Sequence, residues 1–359
     1  MLFRSNLRQI GIASHNYHGD FSKLPPGFYG PVKSFGATNI DPTPNINRGP
    51  WVGCLVPLLP YMEQDSLFKM LYTTPRTNPP PVDMAIQGWN CGLNEERQAW
   101  WSTTLNRTIS TGQVKVKMLK CPSDTVDETV AVGVFLTISC NASNTNGTFY
   151  GVVDGQDILG RTNYTGVAGA AGDFDTGVNA VWNGMDFRQW IGIMYNRSTL
   201  TLGQVTVQDG TSNTLLFGES LGGTGMGARD TAWSWFGVGA LGTAFGLGNS
   251  RVPIPPVTTG AGTKIPPQQY GDPITNLPPN TDGASWYRFS SRHAAVVQFC
   301  FGDCSTRGVR FGSTTAPNNT TSGGQPPPTP GNNTSDWAVL QQMAGRKDGF
   351  TANISGITE

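Results

Sequence analysis

Asn6-Leu7-Arg8-Gln9-Ile10-Gly11-Ile12-Ala13-Ser14-His15-Asn16-Tyr17-His18 sets Leu7, Ile10, Gly11, Ser14 and Tyr17 on one stripe at helical spacing, with Arg8 and Gln9 mostly off it. Residues 2–17 therefore read as an amphipathic helix, within an N-terminal helical segment 1–20, whose stripe needs an apolar partner. Leu24-Pro25-Pro26-Gly27 ends any continuation, because consecutive prolines remove donors and bias the preceding residue to extended backbone. The partner is expected downstream, where alternating or β-branched runs predict strands at 114–118, 130–138, 162–167, 214–219, 233–238, 295–301 and 308–311. The fold class is α+β, an N-terminal helix packed on an antiparallel sheet with long loop insertions.

Working outward, 51–72 is a second helical segment, which Pro57 and Pro60 divide into two short helices. The β-rich body covers 112–240 and 284–312, with Gly- and Pro-rich excursions at 239–283 and 312–335. A short C-terminal helix is expected at 336–345, with Asp336 as its cap and Gly345 ending it. No block repeats at a 20–50-residue period, and the whole chain, 1–359, reads as one elaborated domain.

Only 13% of residues are charged, while Gly 46 and Pro 26 enrich the chain in loop formers. Lys+Arg 24 balance Asp+Glu 24, and no basic cluster interleaved with aromatics occurs, which argues against nucleic acid as a partner. Abundant Asn, Thr, Ser and Gly suit an extracellular surface. No apolar run of about 18 residues exists to span a membrane. The sequence opens directly into the helical pattern, so an upstream segment is expected to be missing from it.

Cysteines stand at 54, 91, 121, 140, 300 and 304, with no C-x-x-C pair. Cys300 and Cys304 flank Phe301-Gly302-Asp303, a turn-like tripeptide, and are either bridged across a hairpin or two small hydrophobes. With that bridge made, Cys121 would pair with Cys140 in the same β-rich region, leaving Cys54 with Cys91. Three histidines, His15, His18 and His293, restrict imidazole catalysis. His15 and His18 read either as a metal pair or as polar contacts of a helix end. No G-x-S-x-G, H-E-x-x-H, Walker A or strand-to-helix G-x-G-x-x-G motif is present.

Oxygen-rich turns place Asp154, Asp157, Asp173, Asp175 and Asp209 as calcium candidates, against the plainer reading that Asp and Asn favour turns. No other cofactor is expected. Sequons mark Asn106, Asn141, Asn146, Asn163, Asn196 and Asn353 as candidate glycan sites. Trp182, Trp190, Trp233, Trp235 and Trp286 could stack on sugar rings or fill a core.

Taken together, several blocks resemble a large planctomycete-type family of unknown function. Its members carry a type IV prepilin methylation segment and a C-terminal H-x9-DG motif, and the family also bears a solute-binding label. The Asn6–His18 block is similar to N-L-K-Q-I-G-L-A-x-H-N-Y-H, and Leu24-Pro25-Pro26-Gly27 to F-P-P-G. Leu58-Leu59-Pro60-Tyr61-Met62-Glu63-Gln64 resembles L-L-P-Y-L-E-Q. Cys121-Pro122-Ser123-Asp124, Gln208-Asp209-Gly210-Thr211-Ser212-Asn213-Thr214 and Gly218-Glu219 follow in the expected order. His293 and Asp303 then hold the H-x9-D spacing, with Cys304 in place of the motif's glycine.

The resemblance implies export to the cell surface, periplasm or exterior, a pilin-like architecture and no catalysis. The expected role is a pilin- or pseudopilin-like structural or adhesive subunit, associating with itself or with similar subunits and meeting the membrane only through the missing anchor. The alternative is an extracellular solute- or glycan-binding module with surface glycans as partners. An enzyme would have to use His293, Asp303 and Glu219. The expectation is instead that His293 and Asp303 are structural, bonding the Asp209 to Asn213 turn and Glu219.

Overall fold

The computed structural model describes residues 2–29, 52–71, 111–124, 126, 131–140, 147–154, 159–170, 173–174, 181–182, 185–186, 188–222, 231–243, 246–249, 288–293, 295–311, 314, 335–349 and 354–359. Helix α1 spans Leu2–Phe21, one turn beyond the stripe at 2–17 and within a residue of the expected segment's end at 20. Its stripe is buried as read: Leu7, Ile10, Ser14 and Tyr17 are fully inaccessible and Ala13 joins them, while Arg8 and Gln9 face outward. Each buried large apolar side chain of this kind contributes about 1.5–3 kcal/mol relative to exposure.

A five-stranded sheet receives α1. Its strands, numbered with those of the second sheet in chain order, are β4 (Tyr164–Val167), β6 (Leu215–Glu219), β8 (Ala240–Leu241), β9 (Val296–Phe301) and β10 (Thr306–Arg310), in the order β8-β4-β6-β9-β10. β4, β6, β9 and β10 pair antiparallel, and β8 adds parallel to β4. Helix α1 lies against β6, β9 and β10. The approach is close: a Cβ at Gly11 would fall 2.5 Å from Cys300 Sγ and 3.4 Å from Cys304 Cα, so a side chain there would have to displace the Cys300 thiol.

The second sheet is built on β1 (Ala131–Cys140) and β2 (Gly147–Asp154), an antiparallel pair. β7 (Thr231–Ser234) runs parallel to β1 and bonds β3 (Arg161–Thr162) antiparallel, and β5 (Asp173–Phe174) runs parallel to β1. The architecture is α+β with mixed sheets.

Segment 51–72 does hold two helices: a 3-10 helix at Val56–Met62, stopped by Glu63 at φ 59°, then α2 at Asp65–Met70. Residues 114–118 are not a strand. Val116 and Leu119 bury three apart while Val114 is exposed, and the Leu119 N–H donates to Val116 O, which is the period of a 3-10 turn, formed at Lys117–Leu119. Residues 233–238 are strand only to Ser234, where Phe236 and Val238 N–H groups turn back onto Ser234. Short pairs at Val181–Trp182 with Met185–Asp186 and at Gly248–Asn249 with Ser290–Ser291 were not anticipated. Most of 239–283 and 312–335 lies outside the described residues.

Helix α3 (Leu202–Val207) begins in a capping box of Thr201 and Gln204. Helix α4 spans Asp336–Ala344 as expected and ends at Gly345, but Ser335 is its cap, accepting from the Ala338 N–H, and Asp336 belongs to the first turn.

The expected disulfides are not made. Cys54, Cys121, Cys300 and Cys304 are free thiols, which removes the Cys300–Cys304, Cys121–Cys140 and Cys54–Cys91 pairings. Cys300 is buried against Gly11, its thiol donating to Phe301 O at 3.4 Å, and Cys54 donates to Gly239 O at 3.3 Å. Cys91 and the Cys140 side chain lie outside the described residues.

Candidate functional site

Strand β9 is flanked by the two residues of the H-x9-D spacing, and its ends sit in different surroundings. At the near end His293 meets Glu219, the last residue of β6: Nε2 lies 3.3 Å from Glu219 Oε1. Glu219 is 1% exposed, and its other oxygen accepts the Gln298 N–H of β9 at 3.1 Å. Cys121, just past the 3-10 turn, brings Sγ to 3.8 Å from the same His293 Nε2. Cys121 Sγ, one Glu219 oxygen and one His293 nitrogen all lie within 4.8 Å of one another. Among the described residues it is the one cluster of three His, Cys, Asp or Glu side chains able to share an ion.

A web of amides and carboxylates fixes this cluster. Asn163 is fully buried between β3 and β4. Its Oδ1 accepts the Cys121 N–H at 2.7 Å, its Nδ2 donates to Asp124 Oδ2 at 2.5 Å, and its backbone bonds Leu119 O and the Ser220 N–H. Asp124 also accepts from Arg292 Nε at 3.4 Å, which ties the Cys121-Pro122-Ser123-Asp124 loop to the residue before His293. From α1, Asn6 Nδ2 donates to Lys120 O at 3.1 Å and to the Tyr164 hydroxyl at 3.4 Å.

Electrostatics keep the thiol protonated when it stands alone. Burial first, and the Glu219 carboxylate second, push Cys121 far above the ordinary thiol range. The Tyr164 hydroxyl is driven upward by burial and then by Cys121 and Glu219. Cys121 is thus no activated nucleophile. Nor is the trio a relay: a nucleophile–imidazole–acid arrangement uses both ring nitrogens, whereas Cys121 and Glu219 both face Nε2.

At the far end of β9, Asp303 sits in the turn to β10 and does not join His293 or Glu219. Its N–H donates to Thr211 O and the Gly302 N–H to Thr214 O; its carboxylate accepts from the Ser305 N–H and faces Arg307 at 3.8 Å. His15 of α1 donates Nε2–H to Gly302 O at 2.8 Å, while His18 Nε2 accepts the Leu202 N–H at 3.2 Å, so the two Nε2 atoms serve distant partners. His293 thus bonds Glu219, whereas Asp303 reaches the Asp209–Asn213 turn through its backbone N–H alone and keeps its carboxylate within its own turn.

Both Asp209 carboxylate oxygens are engaged within the fold. Its carboxylate accepts the Asp348 and Gly349 N–H groups at 3.0 and 3.2 Å, holding the exit of α4. Asp154 and Asp173 fall in β2 and β5, with side chains outside the described residues, as are Asp157 and Asp175 altogether. Asn163 and Asn196 are buried and cannot carry glycans; Asn106, Asn141, Asn146 and Asn353 lie outside the described residues. Trp190, Trp233 and Trp235 fill the core rather than a sugar platform; the Trp182 side chain and Trp286 are not described.

A family model described as "Protein of unknown function (DUF1559)" matches residues 4–311, most of the chain. The chain belongs to that family. Neither a curated protein nor a solved structure is detectably similar to it. No helix among the described residues is long and apolar enough to cross a membrane. The matched span contains every block that builds the cluster: Asn6, Cys121 with Asp124, Asn163 with Tyr164, Glu219 and His293. Sequence reading found His293 and Glu219 but missed Cys121, Asn163 and Tyr164 as their neighbours. Asn163 read as a strand residue and sequon, Tyr164 as a strand residue, and Cys121 as a disulfide candidate within the Cys121–Asp124 block.

Proposed function

We propose that the chain is a non-enzymatic, exported pilin- or pseudopilin-like subunit with a structural or adhesive role outside the cytoplasm. The observation supporting this is the packing of α1 along β6, β9 and β10, a helix-on-sheet body in which the residues of the family blocks serve as a buried brace. Helix α1 keeps Arg4, Arg8, Gln9 and Ile12 on its outer face, a surface that neighbouring subunits can cover. Partners are accordingly further copies or similar subunits.

The test expresses the gene in its own cell, followed by fractionation, electron microscopy of shed material and in-cell crosslinking through a cysteine placed at Ile12. Surface-associated multimers crosslinked through α1 are expected. A protein that remains a freely diffusing cytoplasmic monomer overturns the reading.

A further inference from the structure

We propose that Cys121 Sγ, Glu219 Oε1 and His293 Nε2 are three ligands of one zinc-class divalent ion, clipping the Cys121–Asp124 loop, the end of β6 and the entry to β9 together. Three different donor atoms converge on one point from three separate segments. A tetrahedral ion with a Zn–S bond of about 2.3 Å and Zn–N and Zn–O bonds of about 2.0–2.2 Å needs donor separations of about 3.6 Å for sulfur to nitrogen and about 3.3 Å for nitrogen to oxygen. The corresponding distances are 3.8 and 3.3 Å.

The donor set selects the ion. Calcium and magnesium take oxygen shells, whereas one thiolate, one imidazole and one carboxylate suit zinc and its first-row neighbours. Charge balances as well: thiolate and carboxylate together neutralise a divalent ion, so the buried centre carries no net charge and avoids the desolvation penalty of an isolated ion. The surrounding bonds orient each ligand in advance. Gln298 N–H occupies the second Glu219 oxygen, leaving Oε1 directed at the point of convergence. Asn163 fixes the Cys121 backbone, and the Asp124–Arg292 pair fixes the approach of His293. On binding, the Cys121 S–H bond breaks, its proton passes to solvent and the sulfur lone pair bonds the metal; His293 binds through Nε2 with its ring proton on Nδ1. The fourth position is open to water or another donor.

The full chain, stripped with EDTA, is titrated with Co²⁺ and then Zn²⁺. The expected result is one Co²⁺ per chain, visible bands of a tetrahedral site, a thiolate-to-cobalt charge-transfer band, and displacement by Zn²⁺ with release of one proton per zinc bound to the metal-free chain at neutral pH. Cys121→Ser removes the charge-transfer band and His293→Gln weakens binding at least about tenfold, while Cys300→Ser and Cys304→Ser leave both intact. Should Cys121→Ser fail to fold, the charge-transfer band and proton release of the unmodified chain decide the matter. No thiolate band at saturating Co²⁺, or a band that persists in Cys121→Ser, overturns the proposal. The site lies within one subunit, so its failure leaves the assembly reading standing, and the reverse also holds.

Discussion

The two ends of β9 are held by opposite kinds of chemistry. At the His293 end a carboxylate, an imidazole and a thiol are packed together with Glu219 almost wholly buried; at the Asp303 end the fastenings are mainly backbone N–H to carbonyl bonds, and the carboxylate is about one-third exposed. A buried polar cluster concentrates its consequences in single side chains, because removing one strands its neighbours without water. A backbone-fastened turn spreads them, since substitution leaves the main-chain bonds in place. The same ten-residue spacing therefore joins a sensitive end to a tolerant one.

The largest expected effect tests that asymmetry directly. Glu219→Ala deprives both the Gln298 N–H and His293 of their acceptor in a buried setting and should lower the unfolding free energy by about 3 kcal/mol. Asp303→Ala should lose under about 1 kcal/mol, since its ion pair is partly solvated. Urea unfolding of the two variants beside the parent gives the comparison, and equal losses would abolish it.

Next in size is the contact that ties α1 to the tolerant end. Gly11→Ala forces a methyl group into the space of Cys300 Sγ and should destabilise by about 1–3 kcal/mol. Cys300→Ala vacates that space, so the double variant should recover at least half of the Gly11→Ala loss when measured against Cys300→Ala alone. Additive losses in the cycle would show that the helix does not press on this strand as described.

The fold was legible wherever one physical period governed a segment. The α1 stripe, the 3-10 and α2 pair around Pro57 and Pro60, β6, β9, β10 and α4 follow from spacing and breakers visible in the chain. Residues 114–118 were misread because Val-Lys-Val-Lys alternates in hydropathy while tertiary packing buries Val116 with Leu119 instead. The site was half legible. His293, Glu219 and Cys121 each stood in a quoted block, but nothing in the spacing of those blocks shows that the loop at Cys121, held by Asn163, meets the end of β6 and the entry to β9. The cysteines misled for the same reason: even number and hairpin spacing suggest bridges, whereas Cys300 faces a helix and Cys304 occupies the turn.

Cys304 offers a smaller effect of opposite sign. It closes the turn with φ 65°, a left-handed conformation that favours glycine and in which a side chain is strained. Cys304→Gly should raise the unfolding free energy by about 1 kcal/mol. A loss on that substitution would mean that packing of the thiol beside Gly11 outweighs the backbone strain.

The smallest effect is a pH dependence carried by His18, on the helix that spans both ends. His18 Nε2 accepts the Leu202 N–H, which only an unprotonated nitrogen can do, and burial, with a lesser contribution from His15, pushes its pKa below the ordinary 6.5. The sign follows from linkage. Above pH 6.5 both the folded and the unfolded chain carry neutral His18, and its contribution is fully present. Below that value the unfolded chain takes up the proton first, so stability is lost progressively until the folded pKa is also passed. Urea midpoints measured from about pH 7.5 down to about pH 5.5 should fall for the parent chain. His18→Gln retains an acceptor for Leu202 but does not titrate, so its midpoints should fall less over the same range. If parent and variant decline in parallel, His18 is not the titrating group.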